Sequence, residues 1–480
     1  MNIRPIFFIL GFLYFGLATA MLIPAIVDLA ASNSDWMSFV ASALFTGTIG
    51  LLLALSSHHE LKDGLSIRQA FLLTTLAWMT LPAFGALPFL HLGVSYADAI
   101  FEAVSGVTTT GSTVLSNLDT QPPGLLLWRS ILQWLGGVGI IVMAIVLLPY
   151  LQVGGMQLFK TESSDRSEKI VPRATDFVRL LASTYLFLTV LCALGYYLSE
   201  MSWFDAVNHA MTTLSTGGFS THDASFGYFT QPATVWIGTI FMFAGGLPFT
   251  LIIQALRGRP LALWRDPQVA TLFRFLAVVS IVASVFLVVT GQFSLPTALL
   301  LTAFNFTSIV TTTGFAYHDY TLWGAPIVGM AFLLTFVGGC TGSTAGGIKI
   351  FRFIIFVGVL RNYLRMMVRP HRVLSTNYNN VPLSPDIAVS VLAFLVGYLG
   401  LVGIFTVILT FLHLDLVTAL TGAAQAIGNV GPGLGDVIGP SGNFASLSDS
   451  AKWVLAAAML MGRLELFTVL VVLDPEFWSK

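Results

Sequence analysis

The hydrophobic residues of this chain are gathered into long runs, which short polar stretches separate. A helix that crosses the hydrocarbon core of a bilayer needs about 20 apolar residues. Ten runs are long enough, the eighth of them interrupted by glycines: residues 6–27, 37–57, 70–90, 125–150, 177–199, 232–255, 271–291, 323–360, 385–412 and 452–473. The pattern therefore predicts an all-α, polytopic membrane protein.

The first run has some features of a secretory signal, because Arg4 precedes it and Ala18-Thr19-Ala20 is similar to a cleavage site. The run extends from Ile6 to about Val27, which is longer than the apolar core of a signal. We interpret it as the first transmembrane helix.

Four shorter apolar segments lie between the long ones, at residues 96–110, 203–216, 296–313 and 415–430. They are too short to cross a bilayer, and segments of this length are more often re-entrant. Each ends in a tripeptide that closes with glycine: Thr109-Thr110-Gly111, Ser215-Thr216-Gly217, Thr312-Thr313-Gly314 and Asn429-Val430-Gly431. One such tripeptide alone would be weak evidence, but four in equivalent places indicate an internal repeat.

Two further features recur with the tripeptides. Nine residues before each glycine stands a matched position, occupied by Glu102, Asn208, Asn305 and Gly422. Downstream, a second pair recurs as Gly136-Gly137, Gly245-Gly246, Gly338-Gly339 and Gly462-Arg463. We therefore divide the chain into a two-helix prefix (1–60) and four pseudo-symmetric helix–pore-loop–helix repeats around a central pore (61–160, 161–262, 263–372 with a broken second helix, and 373–480).

Composition supports the membrane assignment. Hydrophobic residues make up 56% of the chain and charged residues 9%, whereas soluble domains average about 25% charged residues. The net charge of −1 does not suggest a nucleic-acid partner. Cys192 and Cys340 both lie in apolar stretches, so we expect buried thiols and no disulfide framework.

The basic residues indicate the direction of the ten spans. If the N-terminus lies inside, the inner side receives most of the 22 Lys and Arg: Arg4, Lys62, Arg68, Lys160, Arg166, Lys169, Arg173, Arg179, Arg257, Arg259, Arg265, Arg274, Lys349, Arg352, Arg361, Arg365, Arg369, Arg372 and Lys480. The opposite side receives Arg129 and Lys452, and Arg463 is left within a span. This asymmetry predicts that both termini are cytoplasmic.

The repeated tripeptides have the properties of a cation filter. Non-helical backbone at membrane depth persists only where it is buried in protein or lines water. Glycine allows dihedrals that turn carbonyl oxygens toward one axis, and a ring of such oxygens can replace the hydration shell of K⁺. The preceding half-helices would direct their partially negative C-terminal ends at the ion. The repeat therefore predicts conduction of a monovalent cation.

Arg463 takes the place of a glycine in the fourth repeat, beneath the predicted filter. A charge at this depth is costly, so we expect it either to limit cation flow as a gate or to pair with Glu465 or Glu102. The second gate candidate is the break at residues 338–347, which contains Gly338, Gly339, Gly342, Gly346 and Gly347. Five glycines in this stretch cannot sustain a regular helix, and we expect a flexible loop that lines the pore. A P-loop is excluded here, because Gly-x₄-Gly-Lys-Ser/Thr is absent.

These elements resemble the TrkH/TrkG/KtrB superfamily of potassium-uptake proteins over nearly the whole chain. The resemblance rests on the four filter stretches, residues 108–112, 215–219, 312–315 and 428–433, on the glycine-rich break and on Gly462-Arg463-Leu464-Glu465. It implies that K⁺ is held by backbone oxygens of Thr109, Thr110, Ser215, Thr216, Thr312, Thr313, Asn429 and Val430. All four filter glycines are present, whereas sodium-preferring plant relatives carry serine at the first, so K⁺ is favoured over Na⁺.

The same resemblance implies a homodimer in the bacterial plasma membrane, without an organic cofactor, on a cytoplasmic ring of TrkA-like nucleotide-binding subunits. The basic loops 151–179 and 349–372 would offer the ring a surface, although their charge also fits positive-inside bias alone.

Two other classes of function stay open at this point. A symporter that couples K⁺ to H⁺ or Na⁺ could bind the coupling ion at Glu102 or His209. A membrane-embedded metalloprotease would need His-Glu-x-x-His, which is absent; His58-His59-Glu60 lies in a short loop. Paired intramembrane aspartates are also missing, so we predict that the chain is not an enzyme.

Overall fold

The computed structural model describes residues 2–57, 65–143, 174–370, 377–378, 381–465 and 467–479. Several sequence predictions lie outside these residues: Lys62, His58-His59-Glu60, the part of the 151–179 loop up to Arg173, Arg372 and Lys480. The proposed repeat boundaries at 60, 160 and 372 also fall there.

The described part of the chain is built almost entirely of helices, which confirms the all-α class. Seven are long and apolar enough to cross a membrane. They are α1 (Arg4–Ala30), α2 (Trp36–Ser56), α3 (Ile67–Gly85), α5 (Pro123–Val142), α6 (Ala174–Leu198), α11 (Pro267–Val289) and α15 (Pro385–Phe411). These seven correspond to the first five, the seventh and the ninth of the predicted spans.

The other three predicted spans are broken. The eighth was expected to be interrupted, and it consists of α13 (Ala325–Leu334) and α14 (Ile350–Val368) with an irregular loop between them. The sixth and tenth were expected to be continuous, and this was wrong. The sixth is α8 (Pro232–Gly245) followed by α9 (Phe249–Leu256) at a bend of 108°. The tenth is α17 (Asp449–Arg463) followed by α18 (Phe467–Leu473).

Each unexpected break has a local cause. Between α8 and α9 stands Pro248, which lacks an amide hydrogen and disfavours helical dihedrals at the residue before it. After α17, Glu465 has a φ of +52°, which no residue of a right-handed helix adopts. Both breaks are short and lie within apolar sequence, so hydropathy alone did not reveal them.

Four short helices occupy the predicted re-entrant segments and are here called the re-entrant helices. They are α4 (Tyr96–Val107), α7 (Trp203–Leu214), α12 (Leu295–Val310) and α16 (Leu416–Gly428). Three begin with a side-chain cap, in which Ser95, Ser202 and Asp415 accept the amide hydrogen of the residue three positions on. Such caps satisfy amides that would otherwise be orphaned at the helix start.

The remaining elements are small. They are α10 (Leu261–Arg265), α19 (Pro475–Trp478), the 3₁₀ turns Leu87–Leu92, Leu118–Thr120, Ser225–Tyr228 and Tyr320–Trp323, and an antiparallel pair of strands, β1 (Asn377–Tyr378) and β2 (Val381–Pro382).

The two-helix prefix is fixed to the first repeat. Helices α1 and α2 approach closely at two glycines, where a Cβ on Gly11 would lie 2.6 Å from the carbonyl oxygen of Gly50. Small residues of this kind allow close packing of transmembrane helices. The buried carboxylate of Asp28, on α1, accepts the amide hydrogen of Gly124 at 2.7 Å. Asp28 therefore caps α5 from another helix.

Candidate functional site

All four re-entrant helices end in the same way. The residue after the last turn has a positive φ, although it is not glycine: Thr109 (52°), Thr216 (51°), Thr312 (55°) and Asn429 (54°). The next amide then bonds back to the carbonyl five residues earlier, as from Thr110 to Ser105 at 2.8 Å and from Val430 to Gln425 at 3.0 Å. This is a Schellman motif, and it turns the chain back toward the side from which the helix came.

The four segments that return from these ends, at residues 108–115, 215–222, 311–317 and 429–434, are here called the return segments. They meet in a closed ring. A Cβ built on one glycine of each would fall close to a carbonyl oxygen of the next repeat: Gly111 to Gly217 at 2.3 Å, Gly218 to Thr313 at 1.9 Å, Gly314 to Val430 at 2.2 Å and Gly431 to Thr110 at 2.8 Å. The ring therefore has no space for a side chain at these positions.

The ring corrects the alignment of the second repeat. Its ring glycine is Gly218, with a φ of +77°, and not the predicted Gly217. The residue nine positions before Gly218 is His209. His209, and not Asn208, is therefore the residue equivalent to Glu102 and Asn305. Gly111, Gly314 and Gly431 have φ values of +89°, +83° and +106° and hold their predicted places. We call Gly111, Gly218, Gly314 and Gly431 the ring glycines.

The corrected alignment explains what the matched polar residues do. Asn305 accepts the amide hydrogen of Tyr317 at 3.2 Å, and a ring nitrogen of His209 lies 3.0 Å from the hydroxyl of Ser220. Glu102 accepts the amide hydrogen of Val114 at 3.0 Å. Each of these side chains therefore braces its own re-entrant helix against its own return segment.

Glu102 also forms a buried ion pair with Arg129, on α5, at 2.7 Å. Arg129 donates a further hydrogen bond to the carbonyl of Ser220 at 2.7 Å, and its guanidinium carbon lies 4.1 Å from the centre of the Phe219 ring. The sequence predicts that Arg129 lies toward the side of the membrane opposite the termini, and its side chain there is buried in the protein, with 1% exposed. It connects the first and second repeats.

Three other basic residues, which the sequence predicts at the two membrane faces, are buried as well. Lys452 pairs with Asp98 at 2.6 Å, and Arg352 pairs with Glu465 at 2.5 Å. The ammonium group of Lys349 donates to the carbonyl of Ala345. Burial of these charges is possible because each has an oxygen partner.

A cavity of about 360 Å³ opens on the side of the ring where the re-entrant helices begin, and all four ring glycines line it. His222 also lines this cavity, 2.5 Å from Asp119 and 3.4 Å from Asp205. Burial alone would lower the pKa of His222, but the hydrogen bonds to Asp205 and Asp119 outweigh it and raise that pKa. The hydrogen bond from His222 correspondingly lowers the pKa of Asp119.

The second matched glycines pack beneath the ring. A Cβ on Gly136 would lie 2.0 Å from the carbonyl oxygen of Val107, and one on Gly462 would lie 2.0 Å from that of Ile427. A Cβ on Gly245 would likewise lie 3.2 Å from the carbonyl oxygen of Leu214. In these three repeats the downstream helix can therefore contact the end of its re-entrant helix only through glycine.

Arg463 lies at this level and is 2% exposed. None of its three side-chain nitrogens has a hydrogen-bond partner among the described residues. Both carboxylates considered as partners are engaged elsewhere, Glu102 by Arg129 and Glu465 by Arg352. The guanidinium borders a cavity of about 20 Å³, which Gly342, Gly346 and Gly347 also line. Arg463 and the glycine-rich loop therefore meet at one place.

The glycine-rich loop, residues 338–347, is tightly held in this conformation, although its composition suggested flexibility. The amide of Gly346 donates to the hydroxyl of Thr312 at 2.6 Å, and the amide of Cys340 donates to the carbonyl of Gly246 at 2.8 Å. The hydroxyl of Thr344 lies 3.0 Å from the carbonyl oxygens of both Leu214 and Gly245. Any movement of the loop must break these bonds.

Sequence reasoning missed two amide side chains at the ring. Gln133, on α5, donates to the carbonyl of Gly217 at 2.7 Å. Gln425, on α16, has its amide oxygen 3.1 Å from the hydroxyl of Ser112, which also lies 2.8 Å from the carbonyl oxygen of Gly431. The sequence feature that could have identified them is a single amide side chain within an apolar segment. Such a group is costly in a membrane unless it has a hydrogen-bond partner.

The donor set of this site suits an alkali cation. Within the described residues, no group of three His, Cys, Asp or Glu side chains could hold a metal ion, and Cys192 and Cys340 are buried and free. The ring instead contains neutral backbone oxygens, among them the carbonyls beside the ring glycines, and rings of such oxygens can select monovalent cations. The arrangement favours passage of an ion rather than chemistry on a bound substrate.

Comparison with known proteins supports this conclusion. Residues 37–479 match the TrkH family, described as cation transport proteins. The chain is 48% identical to the Trk system potassium uptake protein TrkI of Halomonas elongata, over 99% of this chain and 97% of that protein. It is 36% identical to the potassium uptake protein TrkH of Escherichia coli over the full length of both.

A solved structure is similar over the whole length. The crystal structure of the potassium transporter TrkH from Vibrio parahaemolyticus matches with a TM-score of 0.92 at 32% sequence identity, and covers 100% of both chains. Architecture and sequence therefore lead to the same family.

Proposed function

Because this chain belongs to the TrkH family of cation transport proteins, we propose that it takes up potassium through the ring of four return segments. One observation carries the proposal: each ring glycine lies against a carbonyl of the next repeat, so that the ring is closed. A closed ring of backbone oxygens can replace the hydration shell of a potassium ion. The named relatives are potassium uptake proteins, which supports K⁺ as the cargo.

The ions would be held by backbone oxygens just before the ring glycines. In repeats one, three and four these are the predicted Thr109, Thr110, Thr312, Thr313, Asn429 and Val430. In the second repeat the alignment of the ring favours Thr216 and Gly217 over the predicted Ser215 and Thr216. The positive φ of Thr216, shared with Thr109, Thr312 and Asn429, supports this assignment.

The gate would consist of Arg463 and the glycine-rich loop. A guanidinium without a partner among the described residues raises the electrostatic energy of a cation beneath the ring. The loop borders the same cavity as Arg463 and is hydrogen-bonded to Thr312, which lies in the third return segment. Opening would move the loop and Arg463 away from the axis.

The proposal extends to regulation and location. We propose a homodimer in the bacterial plasma membrane with both termini in the cytoplasm, on a ring of TrkA-like nucleotide-binding subunits. Exposed basic residues on the predicted cytoplasmic side, including Arg259, Arg265, Arg361 and Arg365, support this orientation and would face the ring.

Coupled symport with H⁺ or Na⁺ is the second candidate function. It would need a free acidic or basic group on the ion path. Glu102 is bonded to Arg129, Thr113 and Val114, and His209 is bonded to Ser220 and Asp205. These contacts favour an uncoupled pathway, for which the current should reverse at the potassium equilibrium potential regardless of pH or sodium gradients.

Complementation tests the proposal. A bacterium deficient in potassium uptake should grow at low external K⁺ when it expresses this chain. A Gly111→Ser variant should admit more Na⁺, because a Cβ at Gly111 falls 2.3 Å from the backbone of Gly217. Gly400→Ser is the matched control, since a Cβ there would meet nothing within 4 Å. Unchanged selectivity in folded Gly111→Ser would contradict the filter assignment.

A further inference from the structure

Helix α5 belongs to the first repeat, but two of its side chains hold the second. Arg129 and Gln133 are four residues apart and therefore lie on one face of the helix. Both are buried. Arg129 bonds to the carbonyl of Ser220, and Gln133 bonds nearer the ring. The second return segment is thus supported by a neighbouring helix as well as by its own.

Gln133 makes two hydrogen bonds that bracket a ring glycine. Its Nε2 donates to the carbonyl of Gly217 at 2.7 Å, and its Oε1 accepts the amide hydrogen of Phe219 at 3.0 Å. Gly218 lies between these two residues. The side chain is fully buried, so water does not compete for either bond. The amide group therefore fixes the backbone on both sides of Gly218.

The second repeat needs this support more than the others do. The residue before the ring glycine is Thr110, Thr313 or Val430 elsewhere, but Gly217 here. The two threonines are tied to their own segments, through hydroxyl contacts to Thr108 at 2.7 Å and Thr311 at 2.8 Å. Two adjacent glycines have neither side chain nor conformational restriction, so this is the most deformable part of the ring.

Gln133 fills the place of the missing side chain. A Cβ built on Gly217 would lie 2.3 Å from both Cδ and Oε1 of Gln133. The space that a side chain occupies in the other three repeats is therefore taken by a residue from another helix. In repeats one and three the residue before the ring glycine is tied by its own hydroxyl group, whereas in the second repeat that position is tied by Gln133 of a neighbouring helix.

We propose that Gln133 is a positioning residue that determines potassium selectivity, by holding Gly217 and Phe219 so that the second quarter of the ring matches the other three. This rests on the proposed function of the ring as a potassium filter. Selectivity depends on the size of the ring and on the field of its oxygens. Displacement of one of the four return segments changes both the size of the ring and the field of its oxygens. Gln133 does not need to touch the ion to have this effect.

The test is a Gln133→Leu variant, reconstituted in potassium- and sodium-containing liposomes and measured by reversal potential. Leucine keeps the bulk and removes both hydrogen bonds. We expect the K⁺/Na⁺ permeability ratio to fall about tenfold, because loss of both hydrogen bonds allows the second return segment to leave the geometry that selects K⁺. The amount of monodisperse protein should be close to that of the unsubstituted chain.

Ser130→Ala is the matched control. Ser130 is buried on the same helix, but its hydroxyl bonds only to Leu126 of that helix, so the ratio should not change. If Gln133→Leu does not fold, Gln133→Met, which also removes both hydrogen bonds, provides the same test. An unchanged ratio in any folded variant overturns the inference. If the unsubstituted chain carries no K⁺, the proposed function fails as well, so the two failures are distinguishable.

Discussion

The carboxylate of Glu102 and the guanidinium of Arg129 lie 2.7 Å apart and are almost completely excluded from solvent. Glu102 stands on the first re-entrant helix and Arg129 on the helix that follows it. Arg129 also reaches the carbonyl of Ser220 in the second repeat. One ion pair therefore joins two quarters of the ring, and it occupies the carboxylate that a coupling ion would need.

We expect Arg129→Met to destabilise the fold severely. Removing one partner of a buried pair leaves an uncompensated charge, which costs about 3–5 kcal/mol. The double variant Glu102→Gln/Arg129→Met should lose less stability than the sum of the two single variants, because no charge is then left unpaired. Thermal unfolding in detergent measures this. Strict additivity would show that the two residues act independently.

The alignment of the second repeat predicts different outcomes at adjacent glycines. In Gly218→Ala the new methyl group would fall 1.9 Å from the backbone oxygen of Thr313, at a φ of +77°. In Gly217→Ala the atoms nearest the new methyl group, at 2.3 Å, belong to the side chain of Gln133 and not to the backbone of another repeat. Uptake of K⁺ should therefore be abolished by the first substitution and only reduced by the second. If Gly217→Ala impaired K⁺ uptake more than Gly218→Ala, Gly217 would be the ring glycine.

Neutralising Arg463 should increase cation flux severalfold. The guanidinium has no partner among the residues the structure describes, so its removal relieves repulsion of the ion without breaking an ion pair. Arg463→Gln is compared with Arg463→Lys, which keeps the charge, and with exposed Arg361→Gln. Potassium flux per folded protein is the measurement. Unchanged flux together with loss of folded protein would indicate a purely structural role.

The glycine-rich loop should open more readily when Thr344 loses its hydroxyl. In Thr344→Val the contacts at 3.0 Å to Leu214 and Gly245 are removed at nearly constant volume. Ser343→Ala is the control, because that hydroxyl bonds to Cys340 within the loop. We expect a higher basal current for Thr344→Val alone. Equal currents in both variants would place the gate elsewhere.

His222 should stabilise the protein in a pH-dependent way. Its folded pKa is raised by Asp205 and Asp119, so its contribution is complete below its unfolded pKa of about 6.5 and is lost as the pH rises through the higher folded value. The ring centres of His222 and Tyr228 lie 3.5 Å apart. His222→Phe keeps an aromatic ring beside Tyr228 but carries no charge. At pH 6 the variant should unfold at a lower temperature than the unsubstituted chain. At pH 8.5 the difference between the two unfolding temperatures should be smaller. An equal difference in unfolding temperature at both pH values would exclude an effect of the charge on His222.

Membership of a cation transport family confirms the sequence-based recognition and the conclusion that the chain is not an enzyme. The structure confirms the all-α class and contains a short helix at each of the four segments predicted to be re-entrant. Conduction through the ring, gating by Arg463, homodimerisation and a nucleotide-binding partner stay predictions, which the experiments above address in part.

The sequence by itself determined the positions and order of the apolar segments, both long and short, because hydrophobic length is a local property that does not depend on how the helices pack. Tertiary structure alone decided that Gly218, and not Gly217, enters the ring, since either of two adjacent glycines can adopt a positive φ and only contact with Thr313 selects between them. It also decided that Glu102 pairs with Arg129 and that Arg463 finds neither predicted carboxylate. Such pairings join residues far apart in the chain, and the packing of the helices, rather than any pattern along them, sets which charges meet.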